Sequence, residues 1–584
     1  METYRKKWKE IIYNALCEIA PDPAALRSSV SPVTILTETP PDSSLGDIAF
    51  PLFPFAKLLK ESPSNIGEKL LKRLQGRGGE VSLKGPYLNV KLERAGVFKE
   101  ILSAVERAGA DFGRNDSLAG RRIMIEFSCP NTNKPLHLGH LRNDALGESL
   151  SRLLARCGAE VLKVNLINDR GIHICKSMLA YKKFGRGKTP ESEGMKSDHF
   201  VGEYYVKFAQ WAKEDAGAEN QARALLKSWE AGEAETLALW KKMNGWAIAG
   251  IKQTYADTGI AFDRYYYESE TYTAGRAEVL RGLDRKIFFK KEDGSVWIDL
   301  TDDGLDEKVL LRSDGTSLYI TQDIGTAVIR QSDWAFDRMV YVTGSEQQYH
   351  FQVLFTVLKK LGHEWADKLE HLAYGMVNLP EGRMKSREGT VVDADDLLAE
   401  LTDSAREEIA SREREGEITD IGRTAFKIAL GAVNYFLLSG TPRKDMVFNP
   451  RDSLSFTGDT GPYLQYTGAR LSGILRKFSE RRDRYAPGRL DCSLFTVEDE
   501  WDLVKQFAEF PQTVARTAAQ LDPSLLTGYL FDCAKKFARY YHENQVLGND
   551  DPHLVRTRIE LVKAFLTVLK NGFELIGIPF LEAM

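Results

Sequence analysis

Apolar and polar positions along the chain divide it into three stretches. The first 110 residues open with an amphipathic helical pattern. SSLGDIAFPLFPFAK follows as a Pro/Gly-marked loop and segment, and the alternation in GPYLNVKL predicts a strand. From about Gly120 to Glu400 short apolar runs alternate with helical patterns, as in a parallel α/β sheet. Candidate strands are Ile123–Phe127, VLKVNLIND from Val161, MVYVTG from Met339 and AYGMVNL from Ala373. A charged, aromatic-rich helical segment, 187–262, interrupts this alternation as an insertion. Beyond Ile421 the pattern stays helical to the end, and Val555, Ile559, Val562, Leu566 and Leu569 line one face of the last helix. The predicted architecture is an α+β N-terminal domain (1–115), an α/β domain with a parallel sheet (116–410) and an all-α helical bundle (411–584).

Composition narrows the class without naming it. A chain of 584 residues, 43% hydrophobic and 28% charged, has the make-up of an ordinary multidomain soluble protein. No apolar run reaches the ~20 residues needed to cross a bilayer, and METYRKKWKEIIYNALCEIA lacks a signal-peptide core. A cytoplasmic protein without membrane contact is expected. The six cysteines are scattered, with no CxxC pair, which argues against a disulfide framework and a zinc knuckle. Net charge is −4, so any nucleic-acid partner must meet a local positive face. Arg470, Arg476, Lys477, Arg481, Arg482 and Arg484 form such a cluster, although a solvated helix surface has the same signature.

The densest chemistry lies in IMIEFSCPNTNKPLHLGHLRND, Ile123–Asp144. It reads as strand, loop and helix start, with His137 and His140 flanking Gly139 at the joint. A helix N-terminus offers free N–H groups and partial positive charge, which suits phosphate. Glycine there allows close backbone approach, and two imidazoles add donors. A bare HxxH also occurs on capped core helices. As a metal pair it is weak, because zinc takes three or four ligands and the helical pair is spaced HxxxH. GRGKT, Gly185–Thr189, lacks both the earlier glycine and the leading strand of a P-loop.

HLGH resembles HIGH, the first signature of class I aminoacyl-tRNA synthetases, and PNTNKPLHLGHLRN is similar to its arginyl-tRNA synthetase version. The resemblance covers nearly the whole chain and implies a Rossmann-like catalytic sheet. It places Lys134, His137, Gly139 and His140 at the ATP phosphates. GRMKSREGTVV, Gly382–Val392, is similar to the second signature, KMSKS, and implies that Arg383, Lys385, Ser386 and Arg387 hold the β- and γ-phosphates. Arg387 stands where most class I enzymes have the second lysine. Arginyl family members with that replacement carry a lysine before HIGH, the place of Lys134, where an ammonium neutralises the leaving pyrophosphate. The arginine site implied by the resemblance comprises Cys129, Asn131, His137, Glu268, Tyr319, Asp323 and Gln347. Tyr319 and Asp323, at i and i+4, share a face if helical. Cys129 replaces a family serine, so its hydrogen bond to substrate is expected to be weak or to come from backbone.

The first stretch resembles the family's tRNA-elbow domain, with Asn89 beside Tyr87 at a loop nucleotide. The last, through FTGDTGPYLQYTGAR and ARYYHENQVL, resembles its anticodon-binding domain, with Tyr463, Tyr466 and Tyr541 against anticodon bases. The implied partners are L-arginine, ATP and tRNA(Arg). Mg²⁺ is expected to accompany ATP, with no tightly bound cofactor, and a monomer is expected. A small-molecule nucleotidylyltransferase shares the HxGH loop and sheet but has no use for the C-terminal strings. A catalytically silent RNA-binding paralogue has no need of His137, His140, Lys134 and Asp323.

Overall fold

The computed structural model describes residues 1–378, 380, 392–411, 418–485 and 487–584. They form two units. The first takes in Met1–Gly113, Arg470–Thr513 and Asp532–Asn571. Its strands β1 (Ile48–Pro51), β2 (Gly79–Lys84) and β3 (Tyr87–Leu92) make an antiparallel sheet in the order β1-β3-β2. Helices Glu2–Ile19 and Pro63–Leu74 bury Trp8, Ile12, Ile66 and Leu70. The buried Asp47 accepts hydrogen bonds from the Leu92 N–H (2.9 Å) and the Trp501 indole N–H (2.7 Å).

The second unit takes in Arg114–Ala469, Val514–Phe531 and Gly572–Met584. In chain order it contains β4 (Arg122–Glu126), β5 (Glu160–Ile167) and β6 (Arg264–Tyr267). A small antiparallel sheet follows, of β7 (Phe289–Lys290), β8 (Val296–Ile298) and β9 (Lys308–Leu311), and then β10 (Arg338–Gly344) and β11 (Leu369–Tyr374). β4, β5, β6, β10 and β11 form one sheet in the order β11-β10-β4-β5-β6, and all four pairings are parallel. β4 is central, and its Ile123, Met124 and Ile125 are all buried, so the strand reads as a continuous apolar run. This is the parallel α/β architecture that the alternation predicts. The helices beginning at Leu138, Ile172, Glu268 and Gln348 each follow a strand of this sheet, so their N-termini gather along its carboxyl edge.

The insertion is helical, as its periodicity predicts: Pro190–Glu193, Ser197–Glu214, Ala218–Glu230 and Ala234–Thr258. It has an apolar cluster of its own, including Phe200, Tyr204, Phe208, Trp211 and Met243. AYGMVNL is not one strand. β11 stops at Tyr374, and the chain resumes as β12 (Val377–Asn378), which pairs with β13 (Met446–Val447). In the last helix, Pro552–Ile576, four of the five expected positions are buried; Leu566 is half-buried, and Phe565 and Val568 complete the buried face.

Arg142 explains the break after β11. This residue lies in the helix Leu138–Arg156 and is wholly buried. Its guanidinium donates to the carbonyls of Gly375 (2.7 Å), Met376 (3.3 Å), Pro442 (3.0 Å) and Lys444 (2.8 Å). Arg142 therefore draws 375–376 out of the sheet and toward the 442–444 turn. Lysine cannot satisfy four carbonyls spread around a planar fork. Arg142→Lys should lower the urea midpoint of this unit, by about 2–3 kcal/mol of stability, from lost charge-assisted bonds. Tryptophan fluorescence during equilibrium unfolding measures it, and an unchanged midpoint would refute the role.

Candidate active site

The loop from β4 to the helix Leu138–Arg156 is held against its own backbone preference. Ser128 and Cys129 take positive φ angles of 73° and 49°, costly for side-chain-bearing residues. Asn143 compensates by accepting the Ser128 N–H (2.6 Å) while donating to the Val342 carbonyl (2.9 Å) and the Tyr374 hydroxyl (3.0 Å). The Ser128 hydroxyl meets the Tyr255 hydroxyl at 2.5 Å. The Cys129 N–H goes to Asn165 Oδ1 (3.2 Å), and its carbonyl accepts from Asn168 (2.9 Å). Both backbone groups of Cys129 are thus engaged, and its thiol donates to the Phe127 carbonyl (3.7 Å). Burial, reinforced by Glu126, keeps that thiol protonated. Asn131 is exposed on the same loop, bridged in parallel to Asn168.

His137 caps the helix. Its Nδ1 accepts the Gly139 N–H (3.1 Å), while its own N–H goes to His140 Nδ1 (3.1 Å). The rings lie 3.9 Å apart, centroid to centroid. A Cβ at position 139 would stand 3.0 Å from the His137 ring, so glycine is what lets that ring fold over the helix start. Burial, with Lys134 adding to it, lowers the His137 pKa to about 3, and burial with His137 and Lys134 depresses His140 well below the usual range. Both imidazoles are neutral. With Nδ1 accepting in each, the proton sits on Nε2, so each ring presents one N–H donor. Burial also lowers the Lys134 pKa.

An acidic cluster occupies another part of the same edge. The helices Glu268–Asp284 and Tyr319–Asp333 cross at Gly275 and Gly325; a Cβ on Gly275 would fall 1.7 Å from the Thr321 carbonyl oxygen. That close approach brings the helix starts together. Glu268 is buried, and burial lifts its pKa to about 7, with Arg170 opposing and Asp169 and Asp323 adding to the rise. Asp323 accepts from His350 Nε2 at 2.6 Å; burial works against protonation there, but Asp323 leaves the His350 pKa raised overall. Tyr319 opens its helix and is 71% exposed, one turn from Asp323 as the i,i+4 spacing predicts. Gln347 is exposed just beyond β10. Beneath the cluster the buried Glu126 and Arg330 form an ion pair.

A cavity of about 560 Å³ adjoins the histidine loop, lined by Lys134, His137, His199, Tyr205, Lys207 and Asp393 among others. The basic residues Arg383, Lys385, Ser386 and Arg387 lie outside the described residues, but the chain beyond them returns to the histidine loop. The Val392 carbonyl accepts the Leu138 N–H (3.1 Å), and the Leu136 carbonyl accepts the Ala394 N–H (3.0 Å). Asp198, His199 and Asp395 offer ligand atoms within 4.8 Å of one another, but the Lys196 ammonium already bonds both carboxylates, so the cluster has its cation.

The sites predicted for RNA fall elsewhere. Asn89 is only 2% exposed within β3; near it Tyr87 is half-buried, edge-on at 6.1 Å to the exposed Phe53. Tyr463 packs on Phe531 (5.7 Å) and Tyr466 on a cluster with Ile409 and Leu581; both are half-buried. Tyr541 is 37% exposed, stacked on Phe537, with Arg470 over its face at 5.4 Å. His350, Asn143 and Tyr255 escaped the sequence reading. Only His350 left a local trace, three residues after Gln347.

Two imidazole donors at a helix start on the carboxyl edge of a five-stranded parallel sheet fit a class I aminoacyl-tRNA synthetase catalytic domain, and the family models separate it from a nucleotidylyltransferase. Family models agree along the chain: "tRNA synthetases class I (R), catalytic domain" matches residues 105–450, "DALR anticodon binding domain" 464–584, and "Arginyl tRNA synthetase N terminal domain" 6–92. The chain is 55% identical to the arginine–tRNA ligase of Treponema denticola and 51% identical to that of Treponema pallidum, covering all of each sequence. It superposes on the arginyl-tRNA synthetase of Thermus thermophilus with a TM-score of 0.79 at 27% identity, over 99% of this chain and 100% of that one. The chain belongs to the arginyl-tRNA synthetase family.

The tautomer assignment can be checked directly. In the ligand-free protein the His137 and His140 ring nitrogens should show neutral, Nε2–H chemical shifts down to about pH 5, whereas His350 should titrate above its ordinary value. ¹⁵N NMR of histidine-labelled protein reads both; protonation of His137 near pH 6.5 would contradict the geometry.

Proposed function

We infer that the protein is an arginine–tRNA ligase. It activates L-arginine with ATP to arginyl-adenylate and transfers the arginyl group to the 3′-terminal ribose of tRNA(Arg). The observation that carries this reading is the pairing, on one sheet edge, of neutral imidazole donors with the Tyr319–Asp323–Glu268 cluster. One half suits triphosphate, the other a planar cation.

In the first step an oxygen of the arginine carboxylate attacks the α-phosphorus in line, a P–O bond forms, and pyrophosphate leaves with its bonding electrons. His137 and His140 donate from Nε2 to phosphate oxygens as charge moves onto them, and Lys134 neutralises the leaving group. Arg383, Lys385, Ser386 and Arg387 serve the β- and γ-phosphates, and Mg²⁺ travels with ATP. Asp323, Glu268 and Tyr319 hold the guanidinium; Gln347, Asn131 and Cys129 complete that pocket. In the second step the ribose 2′-OH attacks the aminoacyl carbonyl, the ester C–O bond forms as the acyl–phosphate C–O bond breaks, the hydroxyl proton passes to solvent, and AMP leaves. Catalysis is positioning and charge stabilisation rather than bond-making by the protein. The N-terminal domain, through the strand bearing Asn89, reads the tRNA elbow; Tyr463, Tyr466 and Tyr541 serve the anticodon loop. Free thiols at all six cysteines support a reducing, cytoplasmic setting for what we take to be a monomer.

Arginine-dependent ATP–pyrophosphate exchange, run with and without tRNA(Arg), tests the reaction; its absence under both conditions would end the reading. Within it, Lys134→Ala should slow exchange by about 3–4 kcal/mol of transition-state stabilisation while arginine binding stays nearly unchanged. Near-normal single-turnover adenylation would remove Lys134 from the mechanism.

Glu268 adds a pH dependence of known sign. Its carboxyl group is raised to about 7 and ionises as pH rises through that value. A guanidinium prefers the ionised form, so the KM for arginine should fall as pH rises through neutrality. Glu268→Gln should flatten that slope. A wild-type KM that is level from pH 6 to about 8 would take Glu268 out of the pocket.

A further inference from the structure

The start of helix Ser197–Glu214 in the insertion carries a charged cluster that the mechanism above does not use. Lys196 donates to Asp395 Oδ2 (2.5 Å), to the Thr254 hydroxyl (2.5 Å) and to Asp198 Oδ2 (3.2 Å). His199 Nε2 stands 2.9 Å from Asp395 Oδ2 and 3.5 Å from Asp393 Oδ1. The Thr254 hydroxyl donates to Asp395 Oδ1 (3.0 Å), so the Asp395 carboxylate is held from both oxygens. Asp393 in turn caps the helix Ala394–Ser411, accepting the N–H groups of Asp395 (2.9 Å) and Asp396 (3.2 Å).

These aspartates are close in sequence to the residues that pair with the histidine loop. Asp393 is bridged antiparallel to His137, between the Val392–Leu138 and Leu136–Ala394 hydrogen bonds. The clamp therefore fixes three things at once: the insertion helix, the chain leaving the basic segment, and the backbone that presents His137 and Lys134. His199 and Asp393 also line the cavity beside Lys134 and His137.

We propose that Lys196 and His199 are positioning residues for amino-acid activation, holding Asp393 and Asp395 so that residues 392–394 stay paired with residues 136–138. The proposal rests on the ligase reading above. Neither residue touches the reacting atoms; both act through the aspartates.

Charge balance selects the working form of His199. Facing it are Asp198 on its own helix, Asp393 and Asp395 from the neighbouring chain, and Lys196; Thr254 is uncharged. Lys134, His137, Glu203 and Lys207 line the same cavity. Three carboxylates against one ammonium leave room for an imidazolium. The Asp395 hydrogen bond raises the His199 pKa against the pull of burial, and with His199 and Lys196 as donors the Asp395 pKa falls to about 2 despite burial. Protonated His199 thus tightens the clamp, which weakens as pH rises through its raised pKa.

The test is exchange kinetics of wild type, His199→Gln and Lys196→Gln from pH 6.5 to about 9, with circular dichroism and thermal melts as folding controls. At neutral pH both variants should lose roughly ten- to a hundredfold in kcat with little change in the KM for arginine, since a displacement of about 1 Å at the reacting groups costs that much. The wild-type to His199→Gln ratio should shrink as pH rises, because only the wild type loses a proton there. For Lys196→Gln that ratio should shrink far less. If His199→Gln does not fold, Asp395→Asn replaces it: the ¹⁵N-detected His199 titration should then return toward the ordinary histidine value, with kcat lowered. An active wild type with unchanged kcat in His199→Gln, or a ratio constant across pH, overturns the proposal. An inactive wild type would instead overturn the ligase reading.

Discussion

A guanidinium without access to water sets the geometry of the catalytic edge. Arg142 sits inside the helix that starts at the histidine pair, and a charge so placed needs partners, which its two terminal nitrogens find while its Nε does not. Burial lowers its pKa only to about 10, so it stays a cation. Four carbonyls from two separate loops bend toward it. Asn143, the next residue, ties the β4 loop to β10 and to Tyr374 at the end of β11. Within one helical turn of His140, two adjacent polar side chains thus join the ends of three strands. A hydrophobic residue at either place would fill the space but specify none of these joints.

The edge so fixed keeps its two kinds of charge apart. At the helix start the imidazoles are neutral, so in the proposed reaction the partial positive charge of the helix and the Nε2–H donors would act on phosphate without a second full cation beside Lys134. A helix terminus contributes on the order of 0.3–1 kcal/mol, whereas a preorganised donor at a developing charge is worth about 2.7–4 kcal/mol. The donors, not the dipole, dominate. On the arginine side the carboxylates outnumber their cations. Burial chiefly lifts Glu268, with Asp169 and Asp323 adding to it, and Arg330 beneath neutralises Glu126, so Asp323 is not pressed from below by an unpaired charge.

Legibility in the sequence followed the range of the interaction. β4, the helix start at Leu138 and the shared face of Tyr319 and Asp323 depend on neighbours within a few residues, and periodicity or spacing exposes such terms. The helical insertion was legible for the same reason. AYGMVNL looked like one strand because its apolar run is continuous; the break comes from Arg142, over 230 residues away in sequence. Asn89 stood out as a polar residue in an alternating strand, yet it lies buried in the middle strand of its three-stranded sheet. Asn143, Tyr255 and the Glu126–Arg330 pair contribute through long-range hydrogen bonds and ion pairs, which leave no period in the chain.

Helix Ala234–Thr258 shows why the insertion belongs to the catalytic machinery. Two successive residues near its end serve different parts of the site. The Thr254 hydroxyl bonds Lys196 and Asp395, on the side of the chain that pairs with the histidine loop. The Tyr255 hydroxyl bonds Ser128 and Asn165, which hold the left-handed turn at Ser128–Cys129. Residues adjacent in a helix point about 100° apart, so one rigid element reaches both loops at once. Any rotation of this helix must disturb the chain that pairs with the histidine loop and the Ser128–Cys129 turn together. The sheet alone imposes no such link, because its strands fix each loop separately. The insertion makes the two halves of the site a single mechanical unit.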